Sequence, residues 1–166
     1  MSAKIFTAEM LKNLICAAEQ SLRKRQHLNI HQSYEDTCQR LFNAVGPESY
    51  IRPHRHSLDP KTETLLAVKG KFALVLFDDH GTPQDVILFG TQLFGDISAG
   101  VELAPGTWHT VVALSDQSVL LEIKAGPFDP QAAKEFAPWA PEEGTDQGRH
   151  YLQSLHQLIA EHKQAV

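Results

Sequence analysis

Hydrophobic positions along the chain follow two rhythms, helical spacing toward the ends and short alternating or continuous apolar runs between them. Met10, Leu11, Leu14, Ile15, Ala18 and Leu22 recur at helical spacing after Thr7. This predicts a helix over Ala8–Lys24, capped by Thr7, with Arg23, Lys24 and Arg25 favourably placed at its carboxyl end. Gln26–Gln32 is irregular, and its His27 and His31 read as exposed or structural. Cys38, Leu41 and Phe42 then share a helical face, which predicts a second short helix over Tyr34–Val45, stopped by Gly46-Pro47. At the far end, Tyr151, Leu152, Leu155, Leu158 and Ile159 predict a helix over Gln147–Lys163.

Between these ends the spacing shortens. Ser49–His56, Thr64–Lys69, Phe72–Asp78, Gln84–Leu88, Gly95–Leu103, His109–Ala113 and Ser118–Lys124 read as strands. Gly70, the Asp78-Asp79-His80-Gly81 tip, Gly90, Gly100 and Ser115-Asp116 separate them as turns do. So many short strands close together predict a mainly β fold, a sandwich or barrel. From Gly126 the prolines at 127, 130, 138 and 141 forbid regular structure, while Phe128, Phe136 and Trp139 predict that the segment lies on the body. The expected division is a helical segment over 1–48 packed on the barrel, the β barrel over 49–125, an irregular Pro-rich cover over 126–146 and a C-terminal helix over 147–166.

A length of 166 residues suits one such domain with a real core. With 15 basic and 20 acidic residues well mixed, there is no basic stripe to neutralise a phosphate backbone, which argues against nucleic acid as a partner. No apolar run is long enough to span a membrane and Met1–Glu9 lacks the character of a leader, so a cytoplasmic location is the default expectation. Cys16 and Cys38 form no CxxC pair and read as buried free thiols.

The candidate chemistry lies around Pro53-His54-Arg55-His56. In a regular strand, Tyr50, Arg52, His54 and His56 share one face and Ile51, Pro53 and Arg55 the other. Such a polar face is either solvated or lines a cavity holding something polar. Glu63 opens the next strand on a face with Leu65 and Ala67, and His109 opens a later one on a face with Val111 and Ala113. Three imidazoles and a carboxylate suit one divalent transition metal, Fe, Mn, Ni, Zn or Co, with coordination positions left open for chemistry or ligand binding.

These residues resemble the two signatures of the cupin superfamily: His54-x-His56-x6-Glu63-x6-Gly70, and Gly100-x4-Pro105-Gly106-x2-His109. The resemblance implies a cupin-type double-stranded β-helix (jelly-roll) barrel in which His54, His56, Glu63 and His109 bind the metal. The gap of six residues before Glu63 is longer than the usual pattern, and Asp59 within it is the competing carboxylate. Longer runs are similar to the WbuC family of cupin-fold metalloproteins: Asn43-x2-Gly46-Pro47-x-Ser49-Tyr50-Ile51-Arg52-Pro53-His54-Arg55-His56, Leu76-Phe77-Asp78-Asp79, Ala104 to Ala113, and Glu135 to Glu142. That likeness implies an association with bacterial polysaccharide gene clusters.

Arg52 carries the expectation about the ligand. A guanidinium beside the histidines needs a negative partner, either an anionic or sugar-acid ligand or an internal carboxylate such as Glu122. Tyr50 would stand beside it as hydroxyl donor or general acid. Trp108, Phe136 and Trp139 either stack a sugar or base or pack the body, and Glu122 either orients His109 or faces solvent. Three functions follow as expectations: a metal-dependent enzyme of oxidoreductase or isomerase type acting on a small anionic or carbohydrate-derived molecule, a binding or sensor module without turnover, and a metal-independent sugar epimerase or isomerase with Tyr50 as acid. Exposed barrel edges and flanking helices are compatible with a homodimer.

Overall fold

The computed structural model describes residues 3–95 and 97–165. Two helices flank ten strands: α1 (Ala8–Gln20), β1 (Arg25–Asn29), β2 (Cys38–Val45), β3 (His54–Arg55), β4 (Glu63–Lys69), β5 (Lys71–Phe77), β6 (Pro83–Gly90), β7 (Gly100–Leu103), β8 (Trp108–Ala113), β9 (Ser118–Ala125), β10 (Glu135–Phe136) and α2 (Asp146–Ala165). The strands form two five-stranded antiparallel sheets, in the orders β1-β2-β9-β4-β7 and β10-β3-β8-β5-β6. Val45, Leu65, Leu103 and Leu120 of the first meet Phe72, Leu74, Phe89, Val111 and Ala113 of the second to fill the space between them.

Each helix covers the outer face of one sheet. Thr7 caps α1 as expected, its Oγ1 accepting from the Met10 amide at 3.1 Å, and Leu14, Ile15 and Ala18 pack on Phe42, Ala44 and Val119. The helix ends at Gln20 rather than Lys24, where the chain turns through a positive φ of 53° at Lys24. Leu152, Leu155 and Ile159 of α2 pack on Ala73, Val75, Val112, Trp108 and Tyr50 on the outside of the other sheet.

The second expected helix is corrected. Residues 38–45 are a strand paired with β9 along its whole length, from Cys38 opposite Ala125 to Val45 opposite Ser118, and β1 extends the same sheet. The sheet therefore begins well before residue 49. This strand is buried on both faces, Phe42 and Ala44 under α1 and Val45 between the sheets, so its apolar positions run together and imitate a helical pair. The thiols are also corrected. Cys16 and Cys38 are free but exposed, Cys16 on the solvent side of α1 and Cys38 at the start of β2, where the alternate position Gln39 is the buried one.

The segment after β9 is tied to the body by charge. Both Glu143 carboxylate oxygens accept from Arg25 Nη2, at 2.7 and 2.6 Å, and one also accepts the Arg52 amide at 3.2 Å. Burial alone would raise the Glu143 carboxyl, but Arg25 holds it below its ordinary value; burial costs Arg25 more than Glu143 returns, and the guanidinium stays charged because its intrinsic pKa is so high. Glu143→Gln is expected to lower stability by about 2 kcal/mol, below the cost of breaking a fully buried pair because Glu143 is partly accessible. Thermal melting should show a fall of about 4–8 °C at neutral pH. The difference should shrink as pH falls through the depressed carboxyl pKa, since a lowered acid stabilises only while ionised.

Candidate metal centre

One end of the space between the sheets is polar. His54 lies directly opposite His109 across β3 and β8, and His109 shares the inward parity of Val111 and Ala113. Glu63, at the start of β4, shares the inward parity of Leu65. His54, His56, Glu63 and His109 are all buried, and one ring nitrogen from each of the three histidines lies within 4.8 Å of the others. Glu63 Oε2 is 3.3 Å from both His56 Nε2 and His109 Nε2. The long loop before Glu63 does not displace it: Asp59 pairs instead with Lys61 Nζ at 2.7 Å.

Backbone carbonyls orient the three rings. His54 Nδ1 meets Arg52 O at 3.0 Å, His56 Nδ1 meets Ala133 O at 2.5 Å and His109 Nδ1 meets Thr107 O at 2.9 Å. A carbonyl only accepts, so each Nδ1 carries a hydrogen and donates it, which leaves the three Nε2 atoms as the ring nitrogens free to hold a metal. His56 Nε2 is buried with no hydrogen bond despite its closeness to Glu63. Three ring nitrogens and a carboxylate oxygen converging in a buried space form a donor set that fits a divalent metal held by imidazoles whose Nδ1 nitrogens are fixed. Burial drives the His54 pKa well below the ordinary histidine value, with the Lys134 charge adding to it, and so keeps that ring neutral.

Glu63 is held from behind. Lys124, its direct cross-strand partner, places Nζ 3.1 Å from Glu63 Oε1 and 3.1 Å from Glu122 Oε1. This leaves Glu63 Oε2 for the histidine side. Burial raises the Glu63 carboxyl, but His109, His56 and Lys124 together overcome it and hold the group well below the usual range. Glu122 has the opposite fate: burial first, and then the Glu63 charge, push it up to about 7. Glu122 is thus neither solvent-facing nor a partner of His109; it shares Lys124 with Glu63. The alternation Leu120, Glu122, Lys124 in β9 was readable, but only the register of β9 against β4 brings Lys124 to Glu63.

Upstream of the histidines the expected alternation fails. Residues 49–53 are not regular strand, so Ile51 turns inward with the core while Tyr50 turns outward under α2. The Tyr50 hydroxyl donates to Pro141 O at 3.0 Å, and burial raises its pKa. Tyr50 is therefore not brought to the histidines. Arg52 is near them: its Nη2 donates to Ala137 O at 2.9 Å, its guanidinium lies 5.4 Å from the centre of the Phe136 ring, and Phe136 is directly opposite His54. No carboxylate pairs with the Arg52 side chain among the described residues, and its buried Nε has no partner. Trp108 packs on the outer face of its sheet and donates to Asp79 at 3.0 Å. Trp139 packs beside it, whereas Phe136 stays half exposed.

Residues 6–89, just over half of the chain, match a family described as a domain of unknown function, DUF6016. The chain belongs to the DUF6016 family. No curated protein matches this DUF6016 sequence. Among solved structures, a Shewanella oneidensis protein is similar with a TM-score of 0.55 and 11% identity over 75% of this chain and 82% of its own. An uncharacterized conserved Klebsiella pneumoniae protein with a double-stranded β-helix domain gives 0.55 and 12% identity over 82% of this chain and 98% of its own. Oxalate decarboxylase from Bacillus subtilis gives 0.50 and 13% identity over 68% of this chain, which spans only 27% of that enzyme. This DUF6016 protein thus has the cupin-type double-stranded β-helix fold; the suggestion of a divalent metal comes from the donor chemistry of its own buried histidines and glutamate. Among the described residues, no helix is long and apolar enough to cross a membrane.

Proposed function

We propose that this protein is a metal-binding cupin in which His54, His56, Glu63 and His109 hold one divalent transition metal, and that it acts on a small anionic or sugar-derived molecule at the positions left open. The observation that carries the reading is the convergence of three imidazoles, each fixed through Nδ1 on a backbone carbonyl, with Glu63 Oε2 at 3.3 Å from two of them. When bound, the metal supplies a Lewis-acid or redox centre for an oxygen ligand. The chain's own residues do the rest: Lys124 keeps Glu63 facing inward, the carbonyls fix the orientation of the rings, and Arg52 offers donors to a negative group. The finer reading, a WbuC-type protein tied to bacterial polysaccharide synthesis, rests on the run from Asn43 to His56 and on Ala104 to Ala113.

The metal-independent epimerase is the weaker reading, because the hydroxyl it needs as an acid is the one engaged by Pro141 O under α2. The metal reading is tested by elemental analysis of protein purified without added metal and then reconstituted and desalted. We expect close to one equivalent of one transition metal; a small fraction of an equivalent of every metal sinks the proposal. Substrate turnover by the loaded protein separates an enzyme from a binding module, in which ligand-dependent thermal stabilisation appears with no product.

A further inference from the structure

The cover segment is laid onto the strand that carries two of the histidines. Glu135 pairs with Arg55 and Phe136 with His54, so continuing this antiparallel register brings Lys134 opposite His56, on the face that Phe136 shares with His54. The preceding carbonyl, Ala133 O, meets His56 Nδ1 at 2.5 Å, which fixes the segment at this point. Among the described residues Lys134 makes no hydrogen bond or ion pair, while its neighbours do: Arg55 pairs with Glu135 and Lys124 with Glu63 and Glu122. Arg52, beside the same Phe136 ring, also lacks a carboxylate, and its Nε has no acceptor. Two cations that form no ion pair among the described residues therefore flank one mouth of the barrel.

The remaining lining favours a polyhydroxylated partner. On the opposite sheet, Asn43 lies across from Leu120 and His27 across from Asn43, on the inward face that Val45 shares. With Glu122 on the neighbouring strand they provide neutral and charged partners for hydroxyl groups, and the half-exposed Phe136 ring offers an apolar face for the flat side of a sugar. Desolvation lowers the Lys134 pKa and the charges of Glu122 and Glu63 restore part of it, consistent with an ammonium reaching over this mouth.

We propose that Arg52 and Lys134 form a carboxylate clamp at the mouth of the metal centre, and that the ligand is a sugar acid whose carboxylate lies between them while its hydroxyl oxygens turn toward the metal. This rests on the metal reading above. The Arg fork and a second point charge suit one carboxylate, because hydrogen bonds to charged groups are the strong ones in a partly desolvated mouth.

The test uses the full, metal-loaded chain and three probes with one ring, D-glucuronate, D-glucose and D-glucose 6-phosphate, titrated by calorimetry with metal content measured before and after. Glucuronate is expected to bind and glucose to bind at least roughly tenfold more weakly. Lys134→Met is expected to weaken glucuronate roughly tenfold or more, and Lys134→Arg to restore most of it, with metal content and melting temperature unchanged in both. Wild-type protein that retains no metal overturns the underlying reading. Metal-loaded protein that fails to prefer glucuronate over glucose, or that prefers it equally well after Lys134→Met, overturns the clamp alone. Tighter binding of glucose 6-phosphate than of glucuronate, lost in Lys134→Met, overturns the carboxylate assignment in favour of a phosphoryl group.

Discussion

His109→Ala is expected to abolish metal retention, with affinity falling on the order of 100-fold or more, since a four-ligand site that binds with roughly 10–16 kcal/mol spreads that energy over its donors. His109 is the residue to change because it touches the other members of the group: it pairs with His54 across the sheet and its Nε2 is 3.3 Å from Glu63 Oε2. The ring is buried among strands fixed by other contacts, so the barrel should still assemble around the gap. Two measurements check this. A chelator should lower the melting temperature of the loaded wild-type protein, because a metal that binds only the folded state stabilises it, and should leave that of the variant unchanged. Elemental analysis should find the variant empty, while an exposed-site control, His80→Ala at the β5–β6 turn, retains a full equivalent. A variant that keeps its metal removes His109 from the ligand set.

Lys124→Met is expected to destabilise the metal-free protein by about 3 kcal/mol at pH 8, the loss that follows when one partner of a buried ion pair is removed and the other charge stays behind. Here two charges stay behind. Glu63 and Glu122 share the one ammonium at 3.1 Å each, and all three side chains are largely inaccessible. The deficit should depend on pH in a definite direction. Glu122 already has its pKa raised to about 7 by burial and by Glu63, so the folded state takes up a proton that the unfolded chain releases near the ordinary carboxyl value. A raised acid contributes stability that is full below its unfolded pKa and is lost as pH rises through the folded one. Protonation of Glu122 therefore substitutes in part for Lys124, and the difference between variant and wild type should shrink between pH 8 and pH 6. Denaturant unfolding across that range checks it; a deficit that is constant with pH would show that Lys124 contributes packing and not charge.

The convergence of the candidate ligands was legible in part because they sit where strand parity and short spacing operate. His54 and His56 are two residues apart, and Glu63 and His109 each open a strand whose next inward residues are apolar. What misled was local. Tyr50 read as sharing the histidine face because alternation was extended through Pro53, but residues 49–53 leave the sheet and Tyr50 turns out to α2. Leu41 and Phe42 read as one helical stripe because a strand covered on both faces loses its alternation. Lys124 and Lys134 carry no local signal because each owes its place to a partner far along the chain, Glu63 for one and the His54–Arg55 strand for the other.

By itself the sequence determined the kind of fold and which residues could serve as donors, since apolar periodicity dictates which segments alternate and parity sets the face of each candidate within its own strand. Only the tertiary structure decided which carboxylate faces the rings, which cation holds it there and which cations near the mouth form no ion pair among the described residues. Those are matters of register between strands distant in sequence, and a shift of one residue would turn each of these side chains to the other face.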